Sequence, residues 1–453
     1  MNPATAGAVP PPPAPSPLLR PPPALPPLAP PRPVPPLEAV DTVLPTGLRV
    51  VAARRATAPV VQLRLGVPFG GSTARHAAAA ELLSCTLLAG GPGADRAAVD
   101  DALAAVGGSL KAVVGPEELL VTGQVLAEGL PRLLAVLADC LTGAGYEPTV
   151  LAAERERLLH RVRLTGSMPA RAARAALLRH CFGDHPATRE TPAEEQVADV
   201  GRDEVAALHR TALVPRGAVL LLVGDVRPDR AVAETARLLG GWSSPHRAVR
   251  MDPLPAPAHR GEPALAVPSP GARQCEARLA APSLVRTDPG YPALLLADQV
   301  FGGHFSSRLV QRLREREGRI YSGRSAIEQR TGSALGTVQF ASAPQHAAAA
   351  VDGTLDELAA LCGDRPPTDA EIAAARGYAL GVQALVRSTQ KGLADSLHGP
   401  LLAGLPLDWP DTVADRVRTV PADEVRAAAA AHLRPEAYAA VLLGPPAPDR
   451  PLP

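Results

Sequence analysis

The sequence has little that would direct it to nucleic acid or to a membrane. Its 46 basic and 45 acidic residues leave a formal net charge of +1, which gives no electrostatic basis for binding nucleic acid. No apolar run approaches the roughly 18 residues that a membrane-spanning helix needs. The amino terminus lacks the basic and apolar regions of a secretory signal. We therefore expect a soluble, cytoplasmic protein.

Cysteine and aromatic residues are also scarce. The 5 cysteines are widely separated and show no CxxC spacing, so we expect reduced, mostly buried thiols rather than disulfides. Aromatic residues make up only 3% of the chain, so Ala, Leu and Val must fill its core. A length of 453 residues exceeds what one core usually organises, which predicts two or more domains.

Proline marks two segments that are expected to lie outside the domains. The first 37 residues are dominated by proline, a composition typical of an extended polyproline II tail. Residues 244–262 carry 4 prolines and little apolar pattern, which predicts a linker between domains. The linker would leave about 200 residues on each side.

The order of predicted elements recurs on the two sides of this linker. The apolar strand Ala218–Gly224 parallels Ala437–Gly444, and Val223 and Leu443 are 220 residues apart (443 − 223). Two copies of one α+β unit explain this better than unrelated domains do.

The segment 300–323 carries the most specific pattern. It predicts a Gly-rich turn, then a helix whose start Ser306 or Ser307 can cap, then a strand. Arg314 lies in the last turn of that helix, and Tyr321 follows seven residues later on the strand. This order of parts resembles the C-terminal domain of the insulinase/pitrilysin-type (M16) metallopeptidases. In that family an arginine and a tyrosine at this spacing contact the substrate beside the zinc.

The resemblance covers roughly residues 43–446 and implies the duplicated fold of that family. The expected fold class is α+β, with two homologous domains that are each a mainly antiparallel sheet with helices packed on one face. The predicted organisation is a tail, an N-terminal domain, the linker, a C-terminal domain and a short second tail, with the bounds 1–40, 41–243, 244–262, 263–446 and 447–453.

The zinc motif of the family is altered at every position. Active members carry His-x-x-Glu-His on the first long helix, in which the two His bind the metal and the Glu activates water. Here the helix places Glu81, Ser84 and Cys85 at the first His, the Glu and the second His. The third ligand position, 76 residues beyond Cys85 (161 − 85), holds Arg161. A guanidinium cannot ligate zinc and would repel it, so we expect this chain to bind no metal.

The residues at and near these positions have other conceivable roles. A rescued metal site of His76, Glu81 and Cys85 is disfavoured, because His76 and Glu81 are five residues apart and point to different helix faces. Cys85 as a nucleophile is disfavoured too, because no base is evident near it, and a buried structural thiol is preferred. The family geometry would instead bring Glu81 and Arg161 together as an ion pair. If that pair is buried, loss of Arg161 should cost about 3–5 kcal/mol.

The resemblance implies a non-catalytic, substrate-binding subunit of a heterodimeric zinc metallopeptidase. A second chain of the same family would carry the zinc, and this chain would supply Arg314 and Tyr321 to bind the peptide substrate. One competing hypothesis is a structural or scaffold protein that kept the fold but has no proteolytic role. Another is a homodimeric peptidase with an altered site.

Overall fold

A computed structural model describes residues 36–90 and 96–445 of the chain. The proline-rich segment before residue 36 and the predicted tail 447–453 lie outside the described residues. The first strand begins at Ala39, inside the segment 1–40 that was predicted to be a tail. No helix in the described ranges is long and apolar enough to cross a lipid bilayer.

Within the described residues, the first half of the chain forms a six-stranded sheet in the order β1-β2-β6-β3-β5-β4. Only β2 and β6 pair in parallel, and the other neighbours are antiparallel. The strands are β1 (Ala39–Val43), β2 (Arg49–Arg54), β3 (Val60–Pro68), β4 (Ser109–Val114), β5 (Glu118–Leu126) and β6 (Val219–Gly224). The helices are α1 (Ala74–Thr86), α2 (Arg96–Ala104), α3 (Leu130–Gly143), α4 (Pro148–Gly166), α5 (Pro169–Phe182), α6 (Glu194–Asp199), α7 (Arg202–Ala212) and α8 (Pro228–Leu239).

The second half forms a five-stranded sheet in the order β7-β11-β8-β10-β9. Its strands are β7 (Leu265–Pro268), β8 (Cys275–Pro282), β9 (Ile320–Arg330), β10 (Ser333–Ser342) and β11 (Ala439–Gly444). Its helices are α9 (Tyr291–Asp298), α10 (Arg308–Val310), α11 (Ala347–Cys362), α12 (Asp369–Val386), α13 (Gln390–Leu402), α14 (Trp409–Thr419) and α15 (Ala422–His432). Helix α9 continues as a π-helix over Gln299–Gly303, and α10 continues as a π-helix over Gln311–Arg316.

The two halves repeat one architecture, which confirms the predicted fold class. Helix α7 corresponds to α15 and β6 to β11, each with an offset of 220 residues (422 − 202 and 439 − 219). In both sheets the strand that ends the half lies next to the strand before the first long helix. Residues 244–262 between the halves contain neither helix nor strand, apart from a bridge between Val249 and Phe69. The assignment of this segment as a domain boundary stays a prediction.

Each sheet packs most of its helices on one face and receives a single helix of the other half on its second face. Helix α13 packs Leu397 and its apolar neighbours against β2 and β6 of the first sheet. The corresponding helix α5 packs Leu178 and its neighbours against β8, β10 and β11 of the second sheet. The two halves therefore share buried surface through a reciprocal exchange of equivalent helices.

Because of this exchange β3 is buried on both faces, although the alternation of apolar residues with Gln62 and Arg64 is typical of a strand with one solvent-facing side. Arg64 of β3 is 3% exposed and its guanidinium lies 2.7 Å from the Asp395 carboxylate of α13. Gln62 is buried on the same side of the strand. The two polar residues suggested a solvent-facing side, but they face α13, where Arg64 has a partner that compensates for its burial.

Candidate functional site

Helix α1 holds the three altered positions of the zinc motif. The helix begins after Thr73, whose hydroxyl accepts a hydrogen bond from the His76 amide at 3.0 Å. Glu81 and Cys85 are one turn apart and share a face. Ser84 is buried, and its hydroxyl donates to the Glu81 carbonyl at 2.8 Å within the same helix. Ser84 carries a neutral hydroxyl, which cannot act as the general base that a glutamate provides.

Arg161 of α4 reaches the same face of α1. Its Nη2 lies 3.1 Å from Oε2 of Glu81 and 3.2 Å from Sγ of Cys85. The predicted Glu81–Arg161 ion pair is therefore present. The pair is not buried, because the Arg161 side chain is 56% exposed. The cost of 3–5 kcal/mol that was expected for a buried pair does not apply to this one.

The electrostatics of this cluster do not suit a metal or a nucleophile. Burial raises the pKa of the Cys85 thiol, and the nearby Arg161 offsets this only in part. Burial likewise raises the pKa of Glu81 against the effect of Arg161. A thiol that stays protonated is neither a good zinc ligand nor a good nucleophile. Cys85 is half-buried and contacts Arg161, so it is less enclosed than the buried thiol expected from the sequence.

A zinc ion does not fit the residues of this cluster. The Arg161 guanidinium contacts both Glu81 and Cys85, so its charge takes the place that a cation would need. His76 is turned away, with its Nε2 3.3 Å from the Phe69 carbonyl oxygen. Across the described part of the chain, no group of three or more His, Cys, Asp and Glu side chains is placed to hold a metal.

A cleft of about 630 Å³ opens in front of this cluster. It is lined by α1, by α4 and by β4, including Lys111 and Val113. Strand β4 is the last strand of its sheet and pairs with β5, and in the described ranges no strand covers its outer edge. An uncovered strand edge offers backbone donors and acceptors to an extended peptide.

Two charged residues beside the cleft were not predicted to belong to it. Glu154 of α4 is only 14% exposed and its carboxylate lies 2.6 Å from Arg157 and 4.0 Å from Arg96. The Glu154–Arg157 pair has a sequence signal, the spacing of three residues on one helix. Arg96 has none, because it lies on α2, a helix that the sequence analysis did not predict.

The C-terminal half presents Arg314 and Tyr321 much as predicted. Arg314 lies in the last turn of the π-helix Gln311–Arg316, and Gly318 follows with φ +61°. Tyr321 is the second residue of β9, an edge strand, and it is 76% exposed. The Arg314 side chain is 49% exposed, and its Nε lies 3.6 Å from the Glu315 carboxylate. Both groups are open to a ligand.

Two local predictions around these residues were wrong. Gly302 and Gly303 belong to a π-helix rather than to a turn. Ser307 precedes α10, but its hydroxyl does not cap the helix and, among the described residues, has no hydrogen-bond partner. The helix is instead held by Arg308, whose Nε donates to the Glu371 carboxylate of α12 at 2.6 Å. This contact with α12, rather than a serine cap, anchors the start of the segment that carries Arg314.

The two groups of candidate residues lie in different halves. In the described part of the chain, neither Arg314 nor Tyr321 lines the cleft around Arg161. The structure therefore gives one half with an altered metal position and another half with exposed substrate-binding candidates.

Comparisons with known proteins bear on this arrangement. The family described as "Peptidase M16 inactive domain" matches residues 199–377. An "Uncharacterized zinc protease" of Mycobacterium tuberculosis strain H37Rv is 29% identical over 426 residues, which cover 91% of this chain and 94% of the relative. The chain is therefore similar to M16 proteins over most of its length, and its residues 199–377 match the inactive domain of that family. It is similar to a non-catalytic M16 protein, since Glu81, Ser84, Cys85 and Arg161 differ from the residues of the zinc motif that the resemblance implies.

Further similarities agree with this likeness to M16 proteins. An "Uncharacterized zinc protease" of Streptomyces coelicolor is 26% identical over 403 residues, which cover 86% of each chain. The crystal structure of a peptidase M16 inactive domain from Pseudomonas fluorescens superposes with a TM-score of 0.83 at 20% identity, covering 92% of this chain and 100% of that chain. A protease from Helicobacter pylori gives a TM-score of 0.81 at 15% identity, covering 90% and 100%. At these identities the solved structures show the shared fold.

Proposed function

We propose that this protein is the substrate-binding, non-catalytic subunit of a heterodimeric zinc metallopeptidase. Its partner is a second M16-type chain that carries an intact His-x-x-Glu-His motif and the zinc. This chain supplies Arg314 and Tyr321 to the substrate at the partner's metal. The division of labour explains why one half of the chain has an altered metal position while the other half keeps both candidate side chains.

The exposure of the Tyr321 side chain is the observation that supports this proposal most strongly. A tyrosine at the start of a strand ordinarily packs its ring against a neighbour, whereas 76% of this side chain is open. Among the described residues its hydroxyl has no hydrogen-bond partner, and Arg314 is 49% exposed beside a single weak contact with Glu315. Arg314 is positioned by a helix end and Tyr321 by a strand start, and their polar groups are exposed to solvent. Both side chains are therefore suited to bind a ligand outside the chain.

The chemistry of the pair fits peptide hydrolysis. Attack of water on a peptide bond develops negative charge on the carbonyl oxygen, and a phenol and a guanidinium can donate hydrogen bonds to it. The uncovered edge of β4 offers a second place for an extended peptide, which could add to the sheet as a strand. The mycobacterial and streptomycete relatives are named zinc proteases, which is consistent with a role in proteolysis.

Reconstitution tests the proposal. The first candidate partner to express is a chain with an intact His-x-x-Glu-His motif that a neighbouring open reading frame would encode. We expect each chain alone to be inactive on peptides, the two chains to co-purify, and the mixture to cleave peptides. We also expect zinc in the partner and none in this chain when metal content is measured. Failure of every such chain to bind this one would favour the scaffold hypothesis, and proteolysis by this chain alone would favour an altered homodimeric peptidase.

A further inference from the structure

A second cavity, separate from the cleft in front of Arg161, lies where the two halves of the chain meet. Its volume is about 390 Å³, within the range of small-molecule sites. The first half contributes the turn between β4 and β5, and the second half contributes the turn between β9 and β10 and the end of α13. Arg250, from the segment between the halves, and Arg286, which follows β8, also line it.

The guanidinium of Arg286 lies on the wall of this cavity. Its Cζ is 5.7 Å from the ring centroid of Trp409, the first residue of α14. On the other side it lies against Gly399 of α13, at which an added Cβ would be 3.5 Å from Nη1. The guanidinium therefore lies close to both α13 and α14.

Arg286 has no anionic partner in the described part of the chain. Its guanidinium makes no ion pair and no hydrogen bond there, although Trp409 and Gly399 remove it from much of the solvent. Burial lowers the pKa of Arg286, and Tyr291 is the nearby group that acts against this. A half-buried guanidinium without a carboxylate is unusual, because desolvating a charge is costly when nothing compensates for it.

The two carboxylates that line the cavity are already engaged. Glu117 accepts hydrogen bonds from the amide and the hydroxyl of Thr331, at 2.9 and 2.8 Å. Glu118 lies 3.2 Å from Nε2 of His398. Arg250 donates to the Leu402 carbonyl at 3.1 Å and forms no ion pair with any described residue. Arg330, which also lines the cavity, lies 3.7 Å from Glu117, whereas Arg250 and Arg286 form no ion pair with any described residue.

A purely structural role of Arg286 accounts for only part of this geometry. The contact with Trp409 satisfies none of the N–H groups of the guanidinium, and these make no hydrogen bond among the described residues. Those N–H groups form a fork that matches the two oxygens of a carboxylate or of a phosphate. We propose that this cavity binds a small oxyanion, a carboxylate or phosphate group, through the Arg286 fork with Arg250 as a second charge. The ligand would come either from a free phosphate compound or from the terminal carboxylate of a peptide.

Isothermal titration calorimetry of the full chain tests this site without any partner protein. The probes are inorganic phosphate, the tripeptide Ala-Ala-Ala, and the same tripeptide with an amidated C-terminus, all at constant ionic strength. We expect saturable binding of phosphate or of the free tripeptide and none of the amide, and the probe that binds identifies the source. Absence of saturable binding for both anionic probes would overturn the proposal.

Variants assign the binding to Arg286. Arg286→Gln should weaken it about tenfold or more, since a bidentate charged contact is lost. Arg286→Lys, which keeps the charge but not the fork, should give an intermediate affinity. Arg132→Gln removes an exposed arginine of α3 and should bind as the wild type does. Wild-type affinity of Arg286→Gln would contradict the site. If that variant does not fold, unchanged affinity in both Arg286→Lys and Arg250→Gln contradicts it instead.

Discussion

The guanidinium of Arg161 lies 3.1 Å from the Glu81 carboxylate and 3.2 Å from the Cys85 sulfur, between residues of α1 that replace two histidines of the zinc motif. A positive charge thus stands at the position that the M16 resemblance assigns to the zinc. The cluster lies on a helix pair beside the edge strand β4. It differs from a zinc site in its side chains, while the fold around it is shared with solved M16 structures.

Loss of Arg161 should affect stability little. The side chain is 56% exposed, and exposed ion pairs contribute about 0–1 kcal/mol. We expect Arg161→Ala to lower the free energy of unfolding in urea by no more than that. Arg163→Ala breaks another exposed pair, with Glu194, and is the matched control. A loss of about 3 kcal/mol or more for Arg161→Ala alone would mean that the Glu81 charge is desolvated once Arg161 is gone.

Restoring the motif should restore metal binding, provided that Arg161 is also replaced. The combination Glu81→His, Ser84→Glu, Cys85→His and Arg161→Glu supplies three ligands and the general base on the retained helices. We expect this variant to bind zinc at least about tenfold more tightly than the triple variant that keeps Arg161, since the guanidinium repels the ion and provides no ligand. Competition with a chromogenic chelator measures both affinities. Equal affinities would show that Arg161 does not occupy the metal position.

Acid should weaken the contact that fixes the Arg314 segment. Hydrogen bonding from Arg308 holds the pKa of Glu371 down to about 2, from an ordinary value of 4.5. Because the pKa is lower in the folded state, this stabilisation is complete above about pH 4.5 and is lost as the pH falls toward about 2. Glu371→Gln should flatten the loss of unfolding free energy over this window. Glu424→Gln, which removes an exposed carboxylate of α15, should keep the wild-type pH profile, and an unchanged slope in Glu371→Gln would contradict the assignment.

The helix exchange should couple the stability of the two halves. Leu397 of α13 is fully buried against the first sheet, so Leu397→Ala should cost about 2–5 kcal/mol. Leu385→Ala makes the same change at a 73% exposed position of α12 and should stay within about 0.5 kcal/mol. Trp242 lies in the first half and Trp409 in the second, so their fluorescence reports on both during urea unfolding. We expect one transition, with a midpoint that Leu397→Ala lowers for both halves together. Two separate transitions would contradict the coupling.

The resemblance to the M16 family was sufficient to place Arg161 beside Glu81. The family's spacing of 76 residues between the second and third ligand positions leads from Cys85 to Arg161, and the structure shows Arg161 in contact with Glu81. The duplication was likewise readable from the 220-residue offset between β6 and β11. Such features depend on spacing along the chain, which a sequence states directly.

The exchange of α5 and α13 could not be predicted in the same way. It depends on packing between elements that are far apart in the chain, such as α5 with β11, and no local pattern encodes it. A weak signal exists in β6, where apolar residues run without a break and indicate a strand buried on both faces. In β3 the alternating Gln62 and Arg64 concealed the same burial, because a buried arginine is expected only when its distant partner is known.

The rate of peptide cleavage by the reconstituted heterodimer tests the central claim most directly. The wild-type chain is compared with the double variant Arg314→Ala, Tyr321→Phe, each mixed with the zinc-bearing partner at saturating concentration. We expect the double variant to bind the partner normally and to cleave about 10²-fold more slowly or worse, because two donors to the developing oxyanion are lost. A double variant that cleaves at the wild-type rate would contradict the claim that these side chains serve the partner's zinc.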